Sequence, residues 1–215
     1  MKVIEWTWAL IAVSFSAGGC GADDQPAVPG GPGSGGHSGC GTDAPSLAGT
    51  TGEFPGETPA DTACGALVTR EPVPAGPALH VPACSALTFA SNPPSSGNHY
   101  GRWAEFRESA TPVPRGYWVH SLEHRAVVIA YNCSDCEAEV EAARAWIETL
   151  PEDPVCAPYA VARRVILTPD PLLDVPWAAA AWGYTLRSQC FEPGVFSEFF
   201  LAHSAEGPEN ICAPP

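Results

Sequence analysis

The chain has 215 residues, enough for one ordinary domain plus appendages. Its 24 acidic side chains against 10 basic ones give a formal charge of −14. That balance speaks against nucleic acid, which needs basic patches to neutralise phosphates, and against adsorption to anionic lipid by charge alone.

The N-terminus reads as an export signal. Lys2 precedes an apolar run from Trp6 to Phe15, and the small residues Ser16-Ala17-Gly18-Gly19 lead to Cys20. A cysteine directly after such a run is similar to a bacterial lipobox, in which the signal is cleaved and Cys20 carries lipid. Ala17 stands where leucine is usual, and Glu5 is atypical of the leading segment, so an ordinary secretory signal is the competing reading. The apolar run is shorter than the roughly twenty residues a spanning helix needs. After cleavage between 19 and 20 the chain holds no lysine, and arginines are its only fixed cations.

Residues 20–62 are dominated by Gly, Pro, Ser, Thr, Ala and Asp, with Val28, Leu47 and Phe54 as the only large apolar side chains. Such a segment cannot offset the entropy of ordering and reads as a disordered acidic tether. The expected domain occupies 63–215. Leu79 to Ala90, interrupted by Pro82, predicts a short or edge strand. Turn residues from Asn92 to Gly116 predict a loop, with one helical turn near Trp103 to Arg107. Ala126 to Tyr131 is a buried strand, and Glu137 to Leu150 a helix with Val140, Ala143, Trp146, Ile147 and Leu150 on one stripe. Arg163 to Thr168 and Ala178 to Leu186 predict two more strands, and Pro193 to Ala205 a closing helix. The order implies an α+β class: one small domain with a mixed or antiparallel sheet and two main helices.

His99 follows the run Ser91-Asn92-Pro93-Pro94-Ser95-Ser96-Gly97-Asn98, and His120-Ser121-Leu122-Glu123-His124 comes some twenty residues later. Three readings compete. His120-x-x-Glu123-His124 matches the inverted zinc-protease motif, which implies metal-assisted hydrolysis. That motif works on a helix, whereas a strand would put His120, Leu122 and His124 on one face and Glu123 on the other. The second reading is a metal site without hydrolysis, built by His99, His120, Glu123 and His124. Zinc or copper(II) are its candidate ions, since Met1 is the only methionine and leaves no thioether for copper(I) after cleavage. The third is structural, with the histidines pinning a proline-rich loop. His80 and His203 read as isolated surface or capping residues.

Nine cysteines in an exported chain point to disulfides. With Cys20 set aside for lipid, eight remain; seven lie in the domain, so either Cys40 pairs into it or one domain cysteine stays unpartnered. Cys133-Ser134-Asp135-Cys136 leaves a strand and opens a helix, the place of a thioredoxin-like redox pair. Val175-Pro176 before the third predicted strand is similar to the proline loop of such folds. Against redox work stand the acidic Asp135, Glu137 and Glu139, which raise a thiol pKa, and the short link from Pro169 to Pro176, which leaves no room for the usual helix. A structural disulfide, or a bond from this pair to Cys156, is the alternative.

The motifs Pro-Pro-Ser-Ser-Gly-Asn-His-Tyr (93–100) and Val-His-Ser-Leu-Glu-His (119–124) are joined by Ala181-Trp182-Gly183, Phe199-Phe200 and Gly207-Pro208-Glu209. Together they resemble the bacterial domain of unknown function 3105, over roughly Ser91 to Glu209. The resemblance implies exported or membrane-attached proteins and no established activity. Arg125 stands where that family usually has glycine, which speaks against a tight turn there. The combined expectation is an exported binding module of the bacterial cell envelope, membrane-attached through lipid on Cys20. Its partner is an unidentified protein or small molecule and not nucleic acid, and its enzyme alternatives are thiol–disulfide exchange or hydrolysis.

Overall fold

The computed structural model describes residues 58–59, 63–70 and 78–213. The expected signal, Cys20 and most of the expected tether lie outside the described residues. The class is α+β. A six-stranded mixed sheet runs in the order β1-β2-β8-β7-β5-β6, and two short strands, β3 and β4, form a separate parallel pair. The strands are β1 Thr58–Pro59, β2 Leu67–Arg70, β3 His80–Val81, β4 His99–Tyr100, β5 Val127–Tyr131, β6 Val165–Pro169, β7 Trp177–Ala181 and β8 Tyr184–Ser188. The helices are α1 Arg115–Glu123, α2 Glu137–Thr149 and α3 Pro193–His203. Thr58–Pro59 pairs with β2, so the sheet takes in residues that composition assigned to the tether.

Strand β5 lies inside the sheet, next to the edge strand β6: it runs parallel to β6 and antiparallel to β7. It is covered on both faces, which is why its sequence is continuously apolar rather than alternating. Val127 and Ile129 join Ala143, Trp146, Phe196 and Phe199 beneath α2 and α3. Val128 and Ala130 join Trp118, Leu122, Tyr100 and Leu87 on the side of α1.

Three expected stretches of secondary structure differ between Asn92 and Leu186. The strand expected over Ala178 to Leu186 is a hairpin, β7 and β8, turning at Trp182-Gly183 with Gly183 at φ +76°. The 92–116 loop carries β4 and has no helical turn at 103–107. The histidine segment is a helix, α1, and it fits because it is only nine residues long and closes before β5.

Disulfides join Cys64 to Cys190, Cys133 to Cys136 and Cys156 to Cys212. Cys84 is bonded as well, so none of the seven cysteines from Cys64 to Cys212 is a free thiol. No helix among the described residues is long and apolar enough to cross a membrane.

Candidate metal centre

Helix α1 is buried on every side: the eight residues from Arg115 to Leu122 are all buried. Gly116 lets it lie against the Tyr100 ring, since a Cβ there would sit 2.5 Å from two of the ring carbons. Arg115 anchors its first turn. Its guanidinium donates to Asp170 Oδ2 at 2.9 and 2.7 Å and to Asn92 Oδ1 at 2.7 Å, all buried. The proline loop and the sheet edge are thereby tied to the helix.

The helix ends abruptly. Arg125 takes a left-handed φ of 68°; its N–H donates to the Leu122 carbonyl at 3.0 Å, and the Ala126 N–H to that of Ser121 at 3.0 Å. These are the two bonds of a Schellman closure. The tight turn is therefore kept although glycine is replaced, against the expectation drawn from Arg125. The Arg125 side chain contributes a bond of its own, from Nε to the Gly207 carbonyl at 2.9 Å.

Three imidazoles and one carboxylate meet at the far end of α1. Strand pairing sets His80 beside His99, and the His99 N–H donates to the Leu79 carbonyl at 3.1 Å. Glu123 Oε2 lies 3.1 Å from His99 Nε2, 3.5 Å from His80 Nε2 and 3.9 Å from His120 Nε2. The ligand atoms of all four residues fall within 4.8 Å of one another. His99 and His120 are buried at 0% and 2% exposure, whereas the His80 side chain, at 55%, forms the mouth.

Each buried ring is fixed by its other nitrogen. His120 Nδ1 lies 2.6 Å from the Tyr100 carbonyl and His99 Nδ1 2.9 Å from that of Gly97. A carbonyl oxygen only accepts, so both Nδ1 atoms carry the hydrogen. That leaves the Nε2 lone pair of each ring on the side of Glu123, the arrangement by which protein imidazoles are oriented on metals. A ring nitrogen and a carboxylate oxygen at 3.1 Å need a positive centre between them, either a proton or a metal ion. Burial, partly opposed by the Tyr100 contact and reinforced by the neighbouring histidines, pulls the His120 pKa down to about 4. Donors on a zinc tetrahedron of ~2.0–2.1 Å radius are about 3.3 Å apart. The separations of the three imidazoles from Glu123, 3.1 to 3.9 Å, bracket that spacing.

His124 belongs elsewhere. Its Nε2 lies 3.1 Å from Glu209 Oε2, and with Glu123 these residues form a second group whose ligand atoms are within 4.8 Å. Burial lowers its pKa against the pull of Glu209 and Glu123. Trp103 lies against both helix imidazoles, with centroids 4.4 Å from His124 and 5.3 Å from His120.

The predicted set of His99, His120, Glu123 and His124 is thus divided. The first three gather with His80, and His124 turns to Glu209. Although His120 and Glu123 lie on α1 and His124 caps it, the two histidines face different groups and do not converge as a single protease zinc requires. His80 is not isolated, a correction to the sequence reading. Its signal is the β3–β4 pairing, invisible in two residues of strand. Glu209 was marked by the Gly-Pro-Glu motif without a role. Gly207 lies on the end of α1, where a Cβ would be 2.5 Å from the Leu122 carbonyl oxygen, and the Glu209 N–H donates to that of Glu123 at 3.0 Å.

Cys133 and Cys136 stand where the sequence placed them, bonded to each other between β5 and α2, with Cys136 buried and Cys133 half-buried. Cys156 pairs with Cys212 and not with this motif. No helix lies between β6 and β7, as the short link implied.

The site and fold define a disulfide-bonded α+β domain with a histidine–carboxylate cluster suited to a metal ion. Its distinctive segments converge there: the Gly183 N–H donates to the Ser95 carbonyl at 2.9 Å, Trp182 lies edge-on to His99 at 6.3 Å, and Gly207 and Glu209 dock on α1. The chain belongs to the family described as Protein of unknown function (DUF3105), whose model matches residues 80–214. No curated protein and no solved structure matches it.

Proposed function

We propose that the domain is a metal-binding module in which His80, His99, His120 and Glu123 hold a zinc or copper(II) ion. The observation that carries this reading is the pair of Nδ1–carbonyl contacts, which aims two buried Nε2 atoms at one carboxylate oxygen. Three imidazoles and a carboxylate are the donors such ions take. The exposed His80 edge is where a protein or small-molecule partner would reach the ion. Purified full chain incubated with zinc or copper(II) and desalted is expected to retain metal stoichiometrically. The double variant His99→Ala/His120→Ala, checked for folding by near-UV circular dichroism, is expected to lose it. A folded wild-type chain without bound metal overturns the reading.

The module is exported and held to a membrane by lipid on Cys20, with the segment between Cys20 and β1 as its tether. Disulfides that persist in oxidising compartments support this location, as does the lipobox-like run before Cys20. Mass spectrometry of the mature N-terminus tests it: an unmodified Cys20 ends the anchor.

A second reading rests on Cys133 and Cys136. The bond closes a separation of three residues, against 126 for Cys64–Cys190 and 56 for Cys156–Cys212. It therefore stabilises the fold by only about 2 kcal/mol on the loop-entropy scale, where the others reach about 4–5. Cys133 is half-buried and Cys136 caps α2, which supports exchange with a partner dithiol that would be oxidised as the pair is reduced. Failure to oxidise a model dithiol peptide at neutral pH excludes this activity.

A further inference from the structure

Glu123 belongs to both donor groups. On one side its Oε2 faces His80, His99 and His120; on the other it joins His124 and Glu209. The rings of His120 and His124 stand edge to face with centroids 4.7 Å apart, so the two groups are neighbours across one carboxylate.

The second group also has a buried imidazole, though one held by different contacts. The His124 side chain is 2% exposed, and its Nδ1 is buried without a hydrogen-bond partner. Glu209 is brought to it by two contacts that leave little freedom, the close seat of Gly207 on α1 and the Glu209 N–H bond to the Glu123 carbonyl. Among the described residues no arginine forms an ion pair with Glu123 or Glu209; histidines are their only basic partners. The nearest guanidinium groups, Arg164 and Arg125, donate to the backbone carbonyls of His124 and Gly207 at 2.8 and 2.9 Å and not to these carboxylates, so a divalent ion would be their direct counter-charge.

We propose that the site is binuclear: Glu123 bridges two divalent transition-metal ions, one on His80, His99 and His120 and the other on His124 and Glu209. The inference rests on the metal-binding reading above. One carboxylate spanning two ions is the usual way to hold a pair close enough to share a water or a small anion. With one imidazole and two carboxylates, the second position is harder than the first and binds zinc more weakly. His80 and Glu209, with side chains 55% and 48% exposed, are the solvent-facing donors of the two groups, so the ligand class that fits is a small oxyanion or carboxylate bound across the pair.

The test is a zinc titration of the full chain by calorimetry, with metal content measured after desalting. The wild type is expected to take two zinc ions in two steps, the tighter one surviving desalting. Glu209→Gln and His124→Asn are each expected to lose the weaker step and keep the tighter, while Glu123→Gln weakens both by at least tenfold. Glu209 is half exposed, so its variant retains the fold, which near-UV circular dichroism verifies. One zinc in the wild type, unchanged in both Glu209→Gln and His124→Asn but lost in His99→Ala/His120→Ala, overturns the bridged pair and leaves the single site standing. No zinc in a folded wild type removes both.

Discussion

The two faces of the sheet are built by different rules. On one, α2 and α3 lay apolar stripes over Val127, Ile129, Trp177 and Leu186, and α2 keeps a solvent side, burying only Ala143 and Trp146. On the other, α1 and the proline loop pack polar residues into the interior: His99, His120, Ser121, His124, Arg115 and Asp170 are all buried. Apolar packing is tolerant, because any side chain of about the right volume fills it. A buried polar network is not, because each group that loses its partner bears the full cost of desolvation. The first face keeps the fold and the second holds the site.

Substitutions should separate the two. Phe196→Ala, at the centre of the α3 face, is expected to cost about 3–5 kcal/mol in denaturant unfolding and to leave metal stoichiometry unchanged in the folded fraction. Asp170→Ala is expected to cost as much, about 3–5 kcal/mol, because it strands the buried Arg115. Unlike Phe196→Ala it should also weaken metal binding, since Arg115 and Asn92 hold the loop that carries His99. Equal effects of both variants on metal affinity would erase the distinction between the faces.

Acid provides a graded test. His120 is depressed from an ordinary value near 6.5 to about 4, and His124 is lowered as well. Below pH 6.5 the unfolded chain therefore binds protons that the fold refuses. The metal-free protein keeps this stability above pH 6.5 and loses it as the pH falls toward 4. Urea midpoints at pH 7, 5.5 and 4 should fall in that order, and His120→Asn should flatten the slope. A midpoint that rises on acidification contradicts the buried neutral ring.

Gly207→Ala would press a methyl group onto the end of α1, at a cost of about 1–3 kcal/mol, and should shift Glu209 away from His124. The smallest effect belongs to Arg125→Gly. Relief of the left-handed φ, about 1–2 kcal/mol, is offset by loss of the Arg125–Gly207 bond, about 1 kcal/mol, and by a more flexible unfolded chain. The net change in thermal stability should lie within about 1 kcal/mol of zero.

The same division governs what was legible beforehand. β5, α2 and α3 announce themselves because a half-exposed helix must alternate polar and apolar residues, and a strand covered on both faces must be apolar throughout. Helix α1 has no solvent side, so Arg115-Gly116-Tyr117-Trp118-Val119-His120-Ser121-Leu122-Glu123 carries no amphipathic period. Its stop signal is equally hidden, with arginine in the left-handed position. The residue types at the site were readable from the His120-to-His124 spacing and the loop before His99. Their partition was not, since His80 arrives by a two-residue strand pairing and Glu209 by a contact more than eighty residues along the chain. The hairpin at Trp182-Gly183 was missed for a related reason: Ala178 to Ala181 and Thr185 to Leu186 are buried, and the turn leaves only one glycine as a mark.

The central claim is that two backbone carbonyls leave His99 and His120 with bare Nε2 atoms toward a shared ion. Long-range proton–nitrogen correlation spectra of histidine-labelled protein, recorded without and with cadmium-113, test it directly. The account predicts hydrogen on Nδ1 of both rings in the presence of metal, with cadmium coupling at both Nε2 atoms. Hydrogen on Nε2 of either ring in the metal-loaded protein, with no cadmium coupling, would contradict it.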